Sequence, residues 1–200
     1  RAESDQNIDA VIICGAGKNL CGGADIREFN TPDREVEPMS RDLINLIEDF
    51  QKLVIAEIRG PTFGGGLELA LGCHYRVAEA DSFVGLPEVL RGVIPGAGGT
   101  QRLPRLIGLS PALDIITSGK SLSAENALKL GVIDEILDED LRADTISFVQ
   151  KLIGEGVGPR RIKDMEVGGS LDENTVIINN FSDKIKKTLR GVKAPLLCLE

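Results

Sequence analysis

Apolar residues along this chain fall into short runs separated by glycine, and each run has its own period. Ala10-Val11-Ile12-Ile13-Cys14 is continuous and stops at Gly15, which predicts a buried strand. A glycine-rich turn follows through Cys21-Gly22-Gly23-Ala24-Asp25, and the polar stretch 31–38, with its two prolines, reads as a loop. From Ser40, an expected N-cap, Leu43, Ile44, Leu46, Ile47 and Phe50 recur at helical spacing, giving an amphipathic helix to about Lys52. Residues 53–58 form the next strand, halted by Gly60-Pro61, and Phe63-Gly64-Gly65-Gly66 then turns into a helix bearing Leu67, Leu69, Ala70 and Leu71. The order of strand, glycine turn and polar or helical stretch occurs twice, which favours stacked strand–helix units over two domains.

Strands are expected over 75–78 and 82–85, followed by Pro87-Glu88 and another glycine loop. Ser110-Pro111 reads as a cap and first-turn proline for a helix to Ser118, and Ser123 as the cap of a helix that Gly131 ends. A short strand over 132–137 and a helix over 141–153 come next. The stretch 154–159, rich in glycine and closed by Pro159, is the best linker, and a last helix is expected over 174–190. The reading is mixed α/β, with a core over 1–154 and a linker and helical segment over 155–200.

Composition narrows the classes. The hydrophobic share of 42% and charged share of 27% are those of an ordinary globular chain. No apolar run reaches the ~20 residues of a membrane span, and the start Arg1-Ala2-Glu3 reads as an interior cut rather than a leader. The net charge of −8 argues against nucleic acid as a partner. Residues 159–193 go the other way, with eight Lys/Arg against five Asp/Glu, as a solvated helical face or an anion site. Four cysteines without a CxxC pair and a single histidine make a zinc site improbable and suit a reducing compartment.

Several chemistries drop out. Gly15-Ala16-Gly17 is followed by Leu20, and Gly96-Ala97-Gly98 by Gln101, where a dinucleotide fingerprint needs glycine. Gly119-Lys120-Ser121 has Asp114 where a P-loop needs its first glycine, and no G-x-S-x-G elbow exists. His74, between Cys73 and Tyr75 at a strand start, is expected to be a packed structural histidine. What remains is backbone N–H at glycine turns with carboxylates nearby. Gly64-Gly65-Gly66 at a helix N-terminus exposes unpaired donors where the dipole favours negative charge, and Glu68 lies one turn in. A tight turn without a ligand fits that segment equally well, and Glu68 could simply complement the dipole.

The combination is more specific than its parts. Cys21-Gly22-Gly23-Ala24-Asp25-Ile26, Gly64-Gly65-Gly66-Leu67-Glu68-Leu69-Ala70, Gly85-Leu86-Pro87-Glu88-Val89 and Gly92-Val93-Ile94-Pro95-Gly96-Ala97-Gly98-Gly99-Thr100-Gln101-Arg102-Leu103 occur in that order. Together, over about 10–136, they closely resemble the enoyl-CoA hydratase/isomerase, or crotonase, family. Residues 71–78, 116–120 and Pro159-Arg160-Arg161 resemble the hydratase halves of bifunctional fatty-acid oxidation enzymes, in which an NAD-dependent 3-hydroxyacyl-CoA dehydrogenase part follows.

That resemblance implies a crotonase-like spiral of stacked ββα units with C-terminal helices, here without its N-terminal strands. It implies hydration of 2-enoyl-CoA to 3-hydroxyacyl-CoA, with isomerisation of 3-enoyl thioesters or a non-catalytic CoA-ester-binding fragment as alternatives. The oxyanion hole would fall on the N–H groups of Ala24 and Gly65, and the catalytic carboxyls on Glu68 and Glu88. Gly64 and Gly96 would meet the substrate or its water, and Asp25 and Ile26 would line the CoA groove; Arg27 would meet a phosphate or be a plain surface arginine. Hydration would need no cofactor, NAD serving only the absent dehydrogenase part. Expected partners are the acyl-CoA substrate and either further copies of the chain or the dehydrogenase part. The setting would be the cytoplasm if bacterial, preferred on sequence, and the peroxisome if eukaryotic.

Overall fold

A computed structural model describes residues 1–25, 27, 39–137, 140–189 and 191–200, so the loop expected over 31–38 lies outside the described residues. Four strands, β1 (Ala10–Ile13), β2 (Leu53–Ile58), β4 (Tyr75–Ala78) and β7 (Glu135–Ile136), form one sheet in the order β1-β2-β4-β7, parallel throughout. Three others, β3 (Pro61–Phe63), β5 (Phe83–Gly85) and β6 (Ser121–Ser123), form a second sheet, β3 parallel to β5 and β6 antiparallel to it. Each chain turn gives one strand to each sheet and then a helix: β2, β3 and α2 (Gly65–Gly72), then β4, β5 and α3 (Gly99–Ile107). The sequence repeat pairs the β1 region with 53–71, whereas the structural repeat pairs 53–72 with 75–107.

All six residues of β2 are buried. The run is continuous because both faces of a parallel strand are covered. Leu53 and Ile55 pack toward α6 (Leu141–Gly154), with Leu141, Val149 and Leu152. Val54, Ala56 and Ile58 face the main core of Leu67, Leu71, Leu86, Leu103 and Ile115. Each such side chain stabilises the fold by about 1.5–3 kcal/mol on burial.

The helices depart from the expected bounds for local reasons. α1 (Ser40–Glu48) has Met39 as its flanking residue, with no side-chain cap, and Ser40 is already helical. It ends at Glu48 rather than near Lys52, because the Glu48 carbonyl accepts from His74 Nε2 at 3.2 Å and from Arg161 Nε at 3.1 Å. Its buried face carries Ile44 and Glu48, while Leu43 and Leu46 are exposed. α3 fills what reads as a loop, since Pro104 and two arginines mask its period. α4 (Leu109–Ser118) opens after Gly108, so Ser110 and Pro111 lie in its first turn, where proline's missing N–H is harmless. α5 (Ala124–Leu130) has the expected Ser123 cap, accepting from the Asn126 N–H. α7 (Leu171–Thr188) starts earlier than expected, because Ser170 and Glu173 form a capping box. A short α8 (Ala194–Leu197) closes the chain.

After the break at 154–159 the chain returns to the core. Arg160 pairs with Asp134 at 2.7 Å and lies over the Tyr75 ring at 4.5 Å, and Ile162 is fully buried. Close by, Glu48 takes both Nε and Nη2 of Arg102, at 3.1 and 2.8 Å, and the Lys163 N–H at 2.8 Å. This buried pair joins α1, α3 and the 3-10 turn Ile162–Asp164. Glu48→Gln would leave the Arg102 guanidinium buried and unmatched, and should destabilise by about 3–5 kcal/mol in urea titrations. The double variant Glu48→Gln/Arg102→Met should lose distinctly less than the sum of the two single changes; strict additivity would show that the pair does not act as a unit.

Candidate active site

α2 begins where β3 ends, and close packing restricts its start to glycine. Gly64, just ahead of the helix, has φ 56° and ψ −127°, and its N–H donates to the Gly85 carbonyl at 2.9 Å. A Cβ on Gly66 would lie 2.1 Å from the Cys21 carbonyl oxygen. A Cβ on Gly65 would face the Ala24 nitrogen at 3.4 Å, and one on Gly23 (φ 104°) would come 2.9 Å from the Phe63 oxygen and 3.5 Å from the Gly65 nitrogen. Residues 21–24 and 63–66 therefore run in backbone contact, with the peptides of Ala24 and Gly65 beside each other. No side chain caps α2. Its first N–H groups have no intrahelical acceptor and sit at the positive end of the helix dipole.

Glu68, one turn into α2, is buried. Its Oε1 accepts the N–H groups of Ala97 and Gly99, each at 2.8 Å. Position 99 has little room for a side chain: a Cβ there would lie 3.0 Å from Leu86 Cδ1 and 3.1 Å from Glu68 Oε1. Burial raises the Glu68 carboxyl above its ordinary range, while the Gly99 and Ala97 N–H bonds and the Arg102 charge oppose the rise.

Glu88 lies in the 3-10 turn Pro87–Arg91, after β5. A Cβ on Gly64 would be 3.1 Å from its Oε1, so the carboxyl stands against the start of α2. Its Oε2 is buried with no hydrogen-bond partner among the described residues. Burial is the main cause that pushes this carboxyl up to about 7; its own backbone N–H opposes the shift and the Glu68 charge adds to it. The site thus combines two neighbouring backbone amides at a helix start, a carboxylate fixed by two N–H bonds, and a second carboxyl that exchanges its proton near neutrality. Such a set can take up negative charge on an oxygen and move protons beside it.

The other expected residues are placed as follows. Gly96 is exposed, with open space where a Cβ would be, and the N–H groups that reach Glu68 are those of Ala97 and Gly99 instead. Asp25 is near the surface, where Arg27 Nη2 donates to its Oδ2 at 2.6 Å and holds the carboxyl below its ordinary range. Ile26 lies outside the described residues. His74 is buried and structural: Nδ1 accepts the Val54 N–H at 2.9 Å, and burial lowers its proton affinity. Burial pushes the Cys73 thiol up to about 12. A surface concavity of about 730 Å³ lies between α4 and α7, lined by Pro111, Asp172, Val176 and Ile177 among others, and includes none of these site residues. Among the described residues, no cluster of His, Cys, Asp and Glu could hold a metal, and no helix is long and apolar enough to cross a membrane.

Sequence reasoning missed Gly23, Gly66, Ala97, Gly99 and Arg102. The Gly98-Gly99 doublet was a signal of close backbone approach. Ala97 gave none, because an N–H donor is common to almost every residue type.

A family model for enoyl-CoA hydratase/isomerase matches residues 1–162. A human protein named Peroxisomal bifunctional enzyme is 47% identical over 199 residues, and a zebrafish (Danio rerio) protein of the same name is 44% identical over 202. Each match covers 100% of this chain but 27% of the relative, so the chain spans about a quarter of their length. A crystal structure of enoyl-CoA hydratase from Bacillus anthracis superposes with a TM-score of 0.71 at 29% identity, covering 98% of this chain and 72% of that one. The spiral, the glycine-lined helix start and these matches have one reading: the chain belongs to the enoyl-CoA hydratase/isomerase family.

Proposed function

We propose that this chain hydrates 2-enoyl-CoA to 3-hydroxyacyl-CoA in fatty-acid β-oxidation. The observation that carries the reading is the pair of unlike carboxyls at one helix start, Glu68 held by two N–H donors and Glu88 buried, unpaired and raised to about 7. Glu68, whose ionised form the Ala97 and Gly99 N–H groups and Arg102 support against the larger effect of burial, takes a proton from water as the oxygen attacks C3. Glu88, protonated, gives its proton to C2. Charge that develops on the thioester oxygen is met by the N–H groups of Ala24 and Gly65. Water and protons are the only species moved, so the step uses no redox cofactor. A 3-enoyl isomerase needs one proton shuttle, and the second carboxyl favours hydration over it.

Gly64 would leave space for the acyl group, and Asp25, Ile26 and Gly96 remain proposed contacts of the CoA groove and the water. The division into 1–154 and 155–200 is likewise proposed. The human and zebrafish relatives are named bifunctional and peroxisomal, which supports a second activity beside this part, for which we propose the dehydrogenase, and the peroxisomal of the two expected settings.

Loss of the conjugated enoyl-thioester absorbance tests the reading. Glu68→Gln and Glu88→Gln should each slow hydration by about 10²–10⁴-fold with CoA-ester affinity nearly unchanged. Near-normal turnover would remove that residue from the mechanism, and turnover of 3-enoyl but not 2-enoyl substrate would make the protein an isomerase. Gly65→Val, whose side chain would stand against the Ala24 nitrogen, should cost roughly 10²–10³-fold; full activity would place the oxygen elsewhere.

Stability should respond to pH through the same group. The Glu88 carboxyl rises from 4.5 to about 7 in the fold, so folding favours its protonated form. That contribution is complete below the unfolded value and is lost as pH rises through about 7. Glu88→Gln, neutral throughout, should therefore melt above the wild type at pH 8, with the gap closing toward pH 4.5. Equal melting temperatures at pH 8 would show that the buried charge costs nothing.

A further inference from the structure

Beyond the Glu68 site, α1 and α3 face each other across a concavity of about 290 Å³ lined by Arg41, Asn45, Gln101, Arg102, Arg105 and Lys163. Spacing of four residues puts Arg41 above Asn45 on α1, and Gln101 above Arg105 on α3, so α1 presents one cation and one amide to the gap, and α3 one amide and the two cations Arg102 and Arg105. Two of the four cations are matched: Arg102 by Glu48, and Lys163 by Asp49. Arg41 and Arg105 have no carboxylate partner among the described residues; Arg105 spends Nη1 on the backbone and side-chain oxygens of Gln101. The concavity therefore carries about two uncompensated positive charges, in a chain whose net charge is −8. Planar guanidinium groups flanked by amide donors are the chemistry that recognises a tetrahedral oxyanion.

This concavity is one residue away from Glu68. Arg102 Nη1 donates to the Ala97 carbonyl at 3.1 Å, and the Ala97 N–H donates to Glu68 Oε1. We propose that the concavity between α1 and α3 binds a phosphate-class oxyanion, whose charge Glu68 senses through Arg102 and the backbone of Ala97. The charged groups around Glu68 are Arg102 from α3 and Glu88 from the turn after β5; Glu48 of α1 faces it across Arg102, which neutralises it, and β3 contributes no charged side chain. An anion beside Arg102 offsets the positive charge that favours ionised Glu68, so occupancy raises the carboxyl's proton affinity, and by linkage protonation of Glu68 tightens the anion.

The test is titration of inorganic phosphate into the chain, followed by calorimetry and ³¹P line width at ionic strength fixed with sodium chloride. Saturable binding at one site is expected, weakened at least roughly tenfold in Arg41→Gln/Arg105→Gln, whose side chains lie outside the catalytic set. Equal affinity in the double variant, or no saturation, overturns the site. Free coenzyme A added to the phosphate complex separates the sources. Displacement assigns the pocket to a phosphate of the substrate's own carrier, and retention assigns it to a free oxyanion. The coupling rests on the hydratase reading and has its own measurement. Phosphate should move the acid limb of the hydration pH profile upward in the wild type and leave it in place in the double variant. An unmoved limb in an active enzyme with phosphate bound overturns the coupling. Absence of hydration from both proteins would count against the hydratase reading, while the binding result stands.

Discussion

Arg102 and Glu48 meet inside the protein at 2.8 Å, and the positions of three segments follow from that contact. Glu48 ends α1, Arg102 belongs to α3, and the second carboxylate oxygen of Glu48 holds the backbone of the turn at 162–164. The same guanidinium bonds the carbonyl of Ala97, the residue whose N–H, in the preceding peptide, holds Glu68. A buried ion pair adds little net stability when compared with a hydrophobic replacement. Its use here is geometric: the loop that holds the Glu68 carboxylate is fixed from behind by the Arg102 guanidinium.

The site is written largely in backbone. Two amides, a pair of N–H donors to Glu68 and a helix terminus supply many of its polar groups, and glycines stand beside them. This explains the crowding at Gly66 and Gly99, where an added Cβ would meet a carbonyl or the carboxylate itself. Dipoles fixed in a helix and in tight turns need no reorganisation when charge develops beside them.

The sequence was legible wherever one period ran unbroken. β2 appears at the expected residues because a fully covered strand makes a nearly continuous apolar run. α3 was hidden, since Pro104 and Arg102 sit where a helical stripe would be apolar, and Arg102 is buried only because Glu48 waits for it from a distant segment. The end of α1 was unreadable for a similar reason: partners 26 and 113 residues away take its last carbonyl. Of the site, both glutamates and the glycine turn were visible as motifs. The donors to Glu68 were not, because the identity of residue 97 says nothing about where its amide points.

His74, the one histidine in the chain, has both ring nitrogens committed, one to Val54 and one to Glu48, and burial keeps it neutral. Proton exchange near neutrality therefore passes from an imidazole to the Glu88 carboxyl. The sign of the response reverses with it. Where a histidine would add a positive charge on acidification, this protein erases a negative one, so a more acidic surrounding leaves the interior at α2 less polar rather than more highly charged.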